Sequence, residues 1–200
     1  MFASVFSAVI SGMEVHLIKV EADVSDGLPS FTMVGLPSTQ VKEAQDRVRT
    51  ALKNNGIALP PKRITVNLAP ADIRKEGAGF DLPLAAAVLA AAGVLSAAQL
   101  GKVMMAGEIG LNGEIHAVSG ILPMILRARE EKCRFCVVPY DNLREAHLIP
   151  DMKVIGVSNL QEMIRYVGAP DSYKKAVETK RKEKHENSVD FCEIHGQESL

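Results

Sequence analysis

The sequence contains no tryptophan, and aromatic residues make up only 4% of its 200 residues, whereas hydrophobic residues make up 47%. So few aromatic rings predict a core of aliphatic side chains between helices and a sheet, rather than an aromatic-lined binding cleft. An excess of one charge is also lacking, because 23 basic and 24 acidic side chains leave a formal net charge of -1. This balance argues against a protein coated with nucleic acid. It does not exclude a cluster of basic residues on one face.

Signals for secretion and membrane insertion are missing as well. No basic residue precedes Lys19, whereas a signal peptide needs a positive segment before its apolar stretch. The longest apolar run, residues 82–95, contains Pro83 and Gly93 and is shorter than the roughly 20 residues that a bilayer requires. Three cysteines, an odd number, favour reduced thiols over a disulfide framework. We therefore expect a cytoplasmic protein without membrane contact.

The order of apolar patterns predicts the fold class α/β (α+β), a mixed sheet with helices packed on it. A strand-rich first half is followed by alternating strands and helices. An apolar helix is predicted to begin with Asp81 as its cap, and a hairpin is predicted to turn at Asn112-Gly113, because this dipeptide tolerates positive φ angles.

The composition changes after Pro170. Six basic residues crowd into a stretch with almost no large apolar residue, which predicts a solvated charged linker over residues 171–189. The predicted organisation is therefore a folded domain over residues 1–170, this linker, and the beginning of a further ordered element at residues 190–200.

Four long segments, in a fixed order, carry a family resemblance: FTMVGLP at 31–37, ITVNLAPAD at 64–72, KEGAGFDLP at 75–83 and GEIGLNGE at 107–114. They resemble the ComM/YifB family of magnesium-chelatase-like AAA+ ATPases, in which a Lon-protease-like amino-terminal domain precedes the ATPase module. The resemblance implies a fold like the Lon proteolytic domain. It also implies a hexameric parent protein, a helicase that drives branch migration in DNA recombination and natural transformation.

The last residues, Asp190-Phe191 and Gly196-Gln197, resemble the segment with which the family's ATPase module begins, so we expect 190–200 to be the start of that module. ATP chemistry needs a glycine-rich loop, a lysine on the phosphates and a Ser or Thr on Mg²⁺. The one Gly-Lys pair, Gly101-Lys102, is followed by Val103. We therefore expect no cofactor for these 200 residues, whereas the resemblance implies ATP and Mg²⁺ for the parent.

The resemblance to Lon proteases also places two catalytic positions. Lon-type proteases attack with a serine whose proton is taken by a partly desolvated lysine. Aligned on the loop motif at 76–79, the serine position falls at or near Gly79. The lysine of Lon proteases follows a Gly-Gly pair, which matches Ser119-Gly120-Ile121, so its position falls on Leu122. Neither residue carries the required group, so we predict the fold of a protease without its activity and no catalytic residue.

A four-ligand zinc site is the alternative function for the cysteines. Cys133 and Cys136, with Cys192 and His195, have suitable spacing. Against this, Cys136 lies in an apolar run where a small buried thiol is common, and the second pair lies beyond the linker. We predict no metal site and keep these four residues as weak candidates.

Lys62, Arg63, Arg74 and Lys75 flank the strand and loop around residues 64–73, so they could gather at one end of the sheet. In related Lon-like domains of recombination ATPases, such a surface would contact DNA phosphates. The alternative is ordinary solvation with pairing to nearby acidic residues, which is the usual fate of surface charges.

Two functional hypotheses follow. In the first, the chain is a non-catalytic scaffold and DNA-engaging domain that associates with its own AAA+ module and with copies of itself. In the second, it is a purely structural oligomerisation or partner-binding module without DNA contact.

Overall fold

The computed structural model describes residues 1–173, so the predicted segment 190–200 and most of the predicted linker lie outside the described residues. The described chain forms nine strands and six helices. The strands are β1 (Phe2–Ser11), β2 (Glu14–Ser25), β3 (Ser30–Val34), β4 (Arg63–Ala69), β5 (Val103–Met105), β6 (Glu108–Ile109), β7 (Ile115–His116), β8 (Phe135–Pro139) and β9 (Val154–Val157). The helices are α1 (Thr39–Asn54), α2 (Asp81–Ala91), α3 (Ala97–Leu100), α4 (Ile121–Glu130), α5 (Leu143–Ala146) and α6 (Leu160–Gly168).

Seven strands form one mixed sheet in the order β3-β4-β2-β1-β5-β8-β9. The pairs β1–β2 and β2–β4 are antiparallel, whereas β3–β4, β1–β5, β5–β8 and β8–β9 are parallel. The short strands β6 and β7 form a separate antiparallel pair. The predicted α/β class with a mixed sheet is confirmed.

The larger core lies between one face of the sheet and the helices α1 and α2. All eleven residues of α2 are buried, as its apolar sequence predicts for a helix covered on every side. The amphipathic α1 places Val41, Ala44, Val48, Ala51 and Leu52 against this core. These residues recur at three- and four-residue intervals, which gives one buried stripe.

The opposite face of the sheet is only partly covered. A second apolar cluster, with Ile121 and Ile125 of α4, covers Ala8 of β1 and the strands beyond it. Farther along, β2 alternates strictly: Ile18, Val20, Ala22 and Val24 are buried in the larger core, while the residues between them are partly exposed. Such alternation is typical of a strand with one face on a core and one face toward solvent.

Two local predictions are wrong. Asp81 does not cap α2, because it is the first helical residue and its side chain bonds to other elements. The segment Asn112-Gly113 is not a two-residue turn. β6 and β7 are joined by residues 110–114, and among those residues Gly113 has a positive φ, whereas Asn112 does not. The Asn112 side chain accepts a hydrogen bond from the Glu114 amide at 3.0 Å, a local turn that favours a longer loop.

None of the helices within residues 1–173 combines the length and apolar character that a bilayer-spanning segment needs.

Candidate functional site

A cleft of about 420 Å³ lies where α2 begins. Three segments supply most of its lining: the end of β1, the turn that leads into α2, and the loop before α4. β6 and α4 add one residue each. The turn contains Gly77, whose φ of +88° places the chain in a conformation that glycine adopts readily. The lining residues are Ala8, Val9, Ile10, Glu76, Gly77, Ala78, Gly79, Phe80, Glu108, Ala117, Val118, Ser119 and Met124.

Of the two predicted protease positions, one lines this cleft and the other lies on the helix that follows its lining loop. Gly79 lines it directly, and a Cβ added there would meet Val118 of the opposite loop at 4.0 Å. Leu122 lies in the first turn of α4, just after the lining residue Ser119, and packs against the second apolar cluster. The structure thus places the serine position and the lysine position on adjoining elements, but without a hydroxyl or an amine.

The cleft also contains polar groups whose proximity the sequence alone does not predict. These are the carboxylates of Glu76 and Glu108 and the hydroxyl of exposed Ser119. Glu76 is held at the rim by Arg74, whose Nε lies 2.8 Å from Oε1. Only the fold creates this grouping, because β6 and the α4 loop are distant in sequence from the Gly77 turn. A serine hydroxyl needs a nearby base to act as a nucleophile.

An ion pair between a partly exposed arginine and a buried aspartate lies behind the cleft. The Asp81 side chain is completely buried, and Arg47 of α1 donates hydrogen bonds to both of its carboxylate oxygens. The Ile109 amide donates a third hydrogen bond to Asp81 at 3.2 Å. Hydrogen bonding to Asp81 raises the pKa of Arg47, so the guanidinium stays charged. These contacts join α1, α2 and β6, so the pair shapes the cleft instead of reacting in it.

The four predicted DNA-binding residues do not gather at one end of the sheet. Lys62 and Arg63 stand at the beginning of β4, whereas Arg74 and Lys75 lie beyond its end, where Lys75 pairs with Pro37 after β3. A strand of seven residues separates the two pairs by roughly 20 Å. β4 itself creates this separation, because the chain runs the whole length of the strand between the two pairs.

Lys75 is unsuited to phosphate contact because it is fully buried. Its Nζ donates to the carbonyl of Pro70, and its backbone bonds to Leu36 and Ser38. Desolvation lowers the pKa of Lys75. The Lys75 side chain therefore closes the loop 70–75 on itself, and the Lys75 backbone holds that loop against the residues before α1.

Two further cations belong with Lys62 and Arg63. α1 carries the chain from the end of β3 back to the beginning of β4, which places Arg49 and Lys53 of its last turns at the Lys62 end of the sheet. Arg49 and Lys53 line a surface cavity of about 520 Å³ together with Asp46, Thr50, Ile57, Ala58 and Leu59. We call Arg49, Lys53, Lys62 and Arg63 the α1–β4 basic end.

Two of the four weak candidates for a zinc site, Cys133 and Cys136, lie within the described residues. Cys133 and Cys136 are buried free thiols in the second apolar cluster, and burial raises the pKa of both. A raised thiol pKa disfavours the thiolate that binds zinc. Cys192 and His195 lie outside the described residues. Within residues 1–173, no three His, Cys, Asp or Glu side chains form a group suited to a metal ion.

Comparison with known proteins gives a consistent result. The family model described as subunit ChlI of Mg-chelatase matches residues 20–142. Competence protein ComM of Haemophilus influenzae is 38% identical over 200 residues, which cover 98% of this chain and 39% of ComM. YifB of Escherichia coli is 38% identical over 156 residues, covering 78% of this chain and 31% of YifB. Rv2897c of Mycobacterium tuberculosis is 36% identical over 158 residues, 79% of this chain and 31% of that protein. The chain therefore spans well under half the length of these relatives.

Proposed function

We propose, from the premise that this chain belongs to the family of subunit ChlI of Mg-chelatase, that it is a non-catalytic domain of an AAA+ motor protein of the ComM type. In this proposal the parent is a cytoplasmic hexamer that drives branch migration during DNA recombination and transformation. The domain's part is to hold copies together and to engage DNA.

The cleft at the start of α2 is the observation that carries the non-catalytic role. In a Lon-like protease this place would hold a serine and a lysine, and here it holds Gly79 with Leu122 on the adjoining helix. The Arg47–Asp81 pair behind it is saturated by hydrogen bonds, which favours a structural use of this region.

ATP and Mg²⁺ have no fitting site in these residues. The sequence has no glycine-rich loop followed by Lys and Ser or Thr, which is the motif that holds the phosphates and Mg²⁺ in P-loop ATPases. In the proposal, both belong to a separate AAA+ module of the parent protein, and no step of that chemistry is assigned to the residues described.

For DNA engagement we propose the α1–β4 basic end. Arg49 and Lys53 of α1 line one cavity there, Lys62 and Arg63 stand where β4 begins, and Lys and Arg side chains bind DNA mainly through phosphates. Asp46 lines the cavity together with Arg49 and Lys53, and Asp26 pairs with Lys62 at 2.9 Å. The acidic neighbours limit the net positive charge, so we expect weak binding without sequence preference.

A salt titration of duplex DNA affinity tests this role. The logarithm of the binding constant should fall linearly with the logarithm of salt concentration, because each phosphate that a cation neutralises releases counterions. The variant Arg49→Gln/Lys53→Gln should weaken binding and make the slope shallower by about 1 for each phosphate that is no longer neutralised. Arg74→Gln is the matched control, because Arg74 is exposed at the opposite end of β4. No binding at low salt, or equal effects of both variants, would remove the proposed DNA surface.

The second candidate, a purely structural module, is favoured by the pairing of Lys62 with Asp26, since a neutralised lysine attracts phosphate less. This second candidate predicts that the chain self-associates in size-exclusion chromatography. It also predicts no DNA binding in the salt titration.

A further inference from the structure

After α6, the chain runs along the outer edge of β9. Lys153, the residue before β9, forms an ion pair with Asp171 at 2.7 Å. The Gly156 amide, in the third residue of β9, donates a hydrogen bond to the Tyr173 hydroxyl at 3.1 Å. The Tyr173 ring also packs edge-on against Tyr166 of α6, with the ring centroids 5.1 Å apart. These contacts fix the chain beside β9, running in the same direction as that strand.

This direction leads toward the end of the sheet that contains the cleft. The strands β1, β5, β8 and β9 are parallel, so all four end on the same side. The cleft lies on that side, because Ile10, near the end of β1, and Glu108, which follows β5, both line it. The residues that follow Tyr173 therefore begin beside β9 and continue toward the cleft end of the sheet.

The cleft is within reach of a short stretch of chain. Three strand spacings separate β9 from β1, which is about 14 Å, and an extended residue covers about 3.3 Å. About five residues after Tyr173 are therefore enough to cross from β9 to the cleft. Such a crossing uses residues 174–178 and brings residues 180–182, which read Lys-Arg-Lys, to the cleft.

The charges of the cleft and of this stretch are complementary. Glu76 and Glu108 line the cleft, whereas residues 174–184, which lie outside the described residues, contain six basic and two acidic side chains. Two arginines offset part of the negative charge: Arg74 pairs with Glu76 at 2.8 Å, and Arg47 interacts electrostatically with Glu108. Lysine and arginine also suit the apolar walls of the cleft, because their long stems pack on apolar surface while their charged ends reach a carboxylate.

We propose that the basic segment 174–184 of this chain binds across the ends of β9, β8 and β5 and places residues 180–182 in the cleft, beside Glu76 and Glu108. The cleft is then a contact site for the chain's own continuation. Part of the predicted linker is bound instead of solvated, and the binding fixes the direction in which the polypeptide continues. The α1–β4 basic end takes no part, so the proposal is independent of the proposed DNA surface.

Trypsin cleavage of the full 200-residue chain tests the binding, because a bound segment is cleaved only when it opens. At low salt, Glu76→Gln/Glu108→Gln should be cleaved within residues 180–182 about fivefold faster than the wild type, since two ion pairs are lost. Glu130→Gln/Glu131→Gln is the matched control, because it removes two exposed carboxylates at the other end of α4, and it should be cleaved at the wild-type rate. At about 1 M salt, which screens such charges, the wild type should reach the rate of the cleft variant.

Disulfide trapping measures the position of the segment. Ser119 is exposed and lines the cleft, so Ser119→Cys/Thr179→Cys in a Cys192→Ser background should form a disulfide within one chain under mild oxidation. High salt should slow its formation. Lys62→Cys/Thr179→Cys in the same background is the control, because Lys62 stands at the opposite end of the sheet. The control should form its disulfide more slowly, by random encounter, and salt should not slow it.

The outcomes decide the proposal. Equal cleavage of the wild type and the cleft variant overturns it, as does an equal acceleration in the control, provided that urea unfolding shows all three proteins folded. Equal trapping rates from Ser119→Cys and Lys62→Cys overturn it as well. Disulfide-linked dimers in place of a bond within one chain would mean that the segment binds a second copy, which also contradicts the proposal. Neither measurement uses DNA, so the DNA role is tested separately.

Discussion

Arg47 donates two hydrogen bonds to the buried carboxylate of Asp81, from Nε to Oδ2 at 2.8 Å and from Nη2 to Oδ1 at 2.9 Å. The two residues are 34 positions apart in sequence. The planar guanidinium matches a carboxylate in this two-bond geometry, which a lysine cannot reproduce. The pair joins the two core helices at the base of the cleft.

Replacing Arg47 should therefore be costly. Arg47→Met removes two of the three hydrogen bonds described for the fully buried Asp81 carboxylate, so the free energy of unfolding should fall by about 3 kcal/mol. Urea unfolding followed by circular dichroism measures the change. Arg49→Met, on the exposed side of the same helix, should cost less than about 0.5 kcal/mol.

A double variant separates the removal of the pair from the change in packing. Arg47→Met/Asp81→Leu removes both charges, so it should be more stable than Arg47→Met alone. If the double variant were the less stable of the two, the uncompensated charge would not be the cause of the destabilisation.

The sequence predicted much of the architecture because hydrophobic periodicity is a local signal. The alternation of buried and partly exposed residues in β2 and the stripe of buried residues on α1 each appear within a short stretch of sequence. Glu43 and Arg47 stand four residues apart on α1, a spacing at which side chains of a helix meet, and the two charged groups lie 3.9 Å apart. The dominant partner of Arg47, however, comes from α2. A carboxylate at a helix start is typical of a cap, so sequence reasoning assigned Asp81 that role instead of an ion pair.

The sites were harder to predict, because crossovers decide which surface residues meet. Lys62 and Lys75 flank one strand in sequence, yet β4 places them at opposite ends and buries Lys75. Arg49 and Lys53 lie toward the Lys62 end of the sheet only because α1 runs back along the sheet. No spacing rule within the sequence contains that information.

Gly35 should tolerate no side chain. Its φ is +95°, and an added Cβ would lie 2.2 Å from the Leu68 carbonyl oxygen, where β3 passes close to β4. Gly35→Ala should lower the free energy of unfolding by about 3 kcal/mol or more. Gly56 also has a positive φ, +74°, with nothing within 4 Å of an added Cβ. Gly56→Ala should therefore cost only about 1–2 kcal/mol, the conformational part alone. Equal destabilisation of both variants in thermal or urea unfolding would contradict the close approach.

The cleft should not react as a serine protease. With glycine and leucine at the two catalytic positions, a fluorophosphonate should not label the purified chain, as measured by intact mass. Ser119 is the one hydroxyl among the described residues that line the cleft, so Ser119→Ala serves as the matched variant. Stoichiometric labelling of the wild type that disappears in Ser119→Ala would show an unexpected nucleophile there.

Glu21 on the partly exposed sheet face should contribute stability that acid removes. A hydrogen bond from Lys19, and then one from Asn67, lower the pKa of Glu21 below its ordinary value. The contribution is complete above the unfolded-state pKa of about 4.3 and is lost as the pH falls through the lowered folded-state pKa. Glu21→Gln should thus destabilise the chain by about 0.5–1 kcal/mol at pH 7, and the difference should shrink in this acidic window. Urea unfolding across pH 2–7 measures it, with exposed Glu114→Gln as the control. A difference that stayed constant down to pH 2 would show that the carboxylate charge is not what stabilises the strand pair.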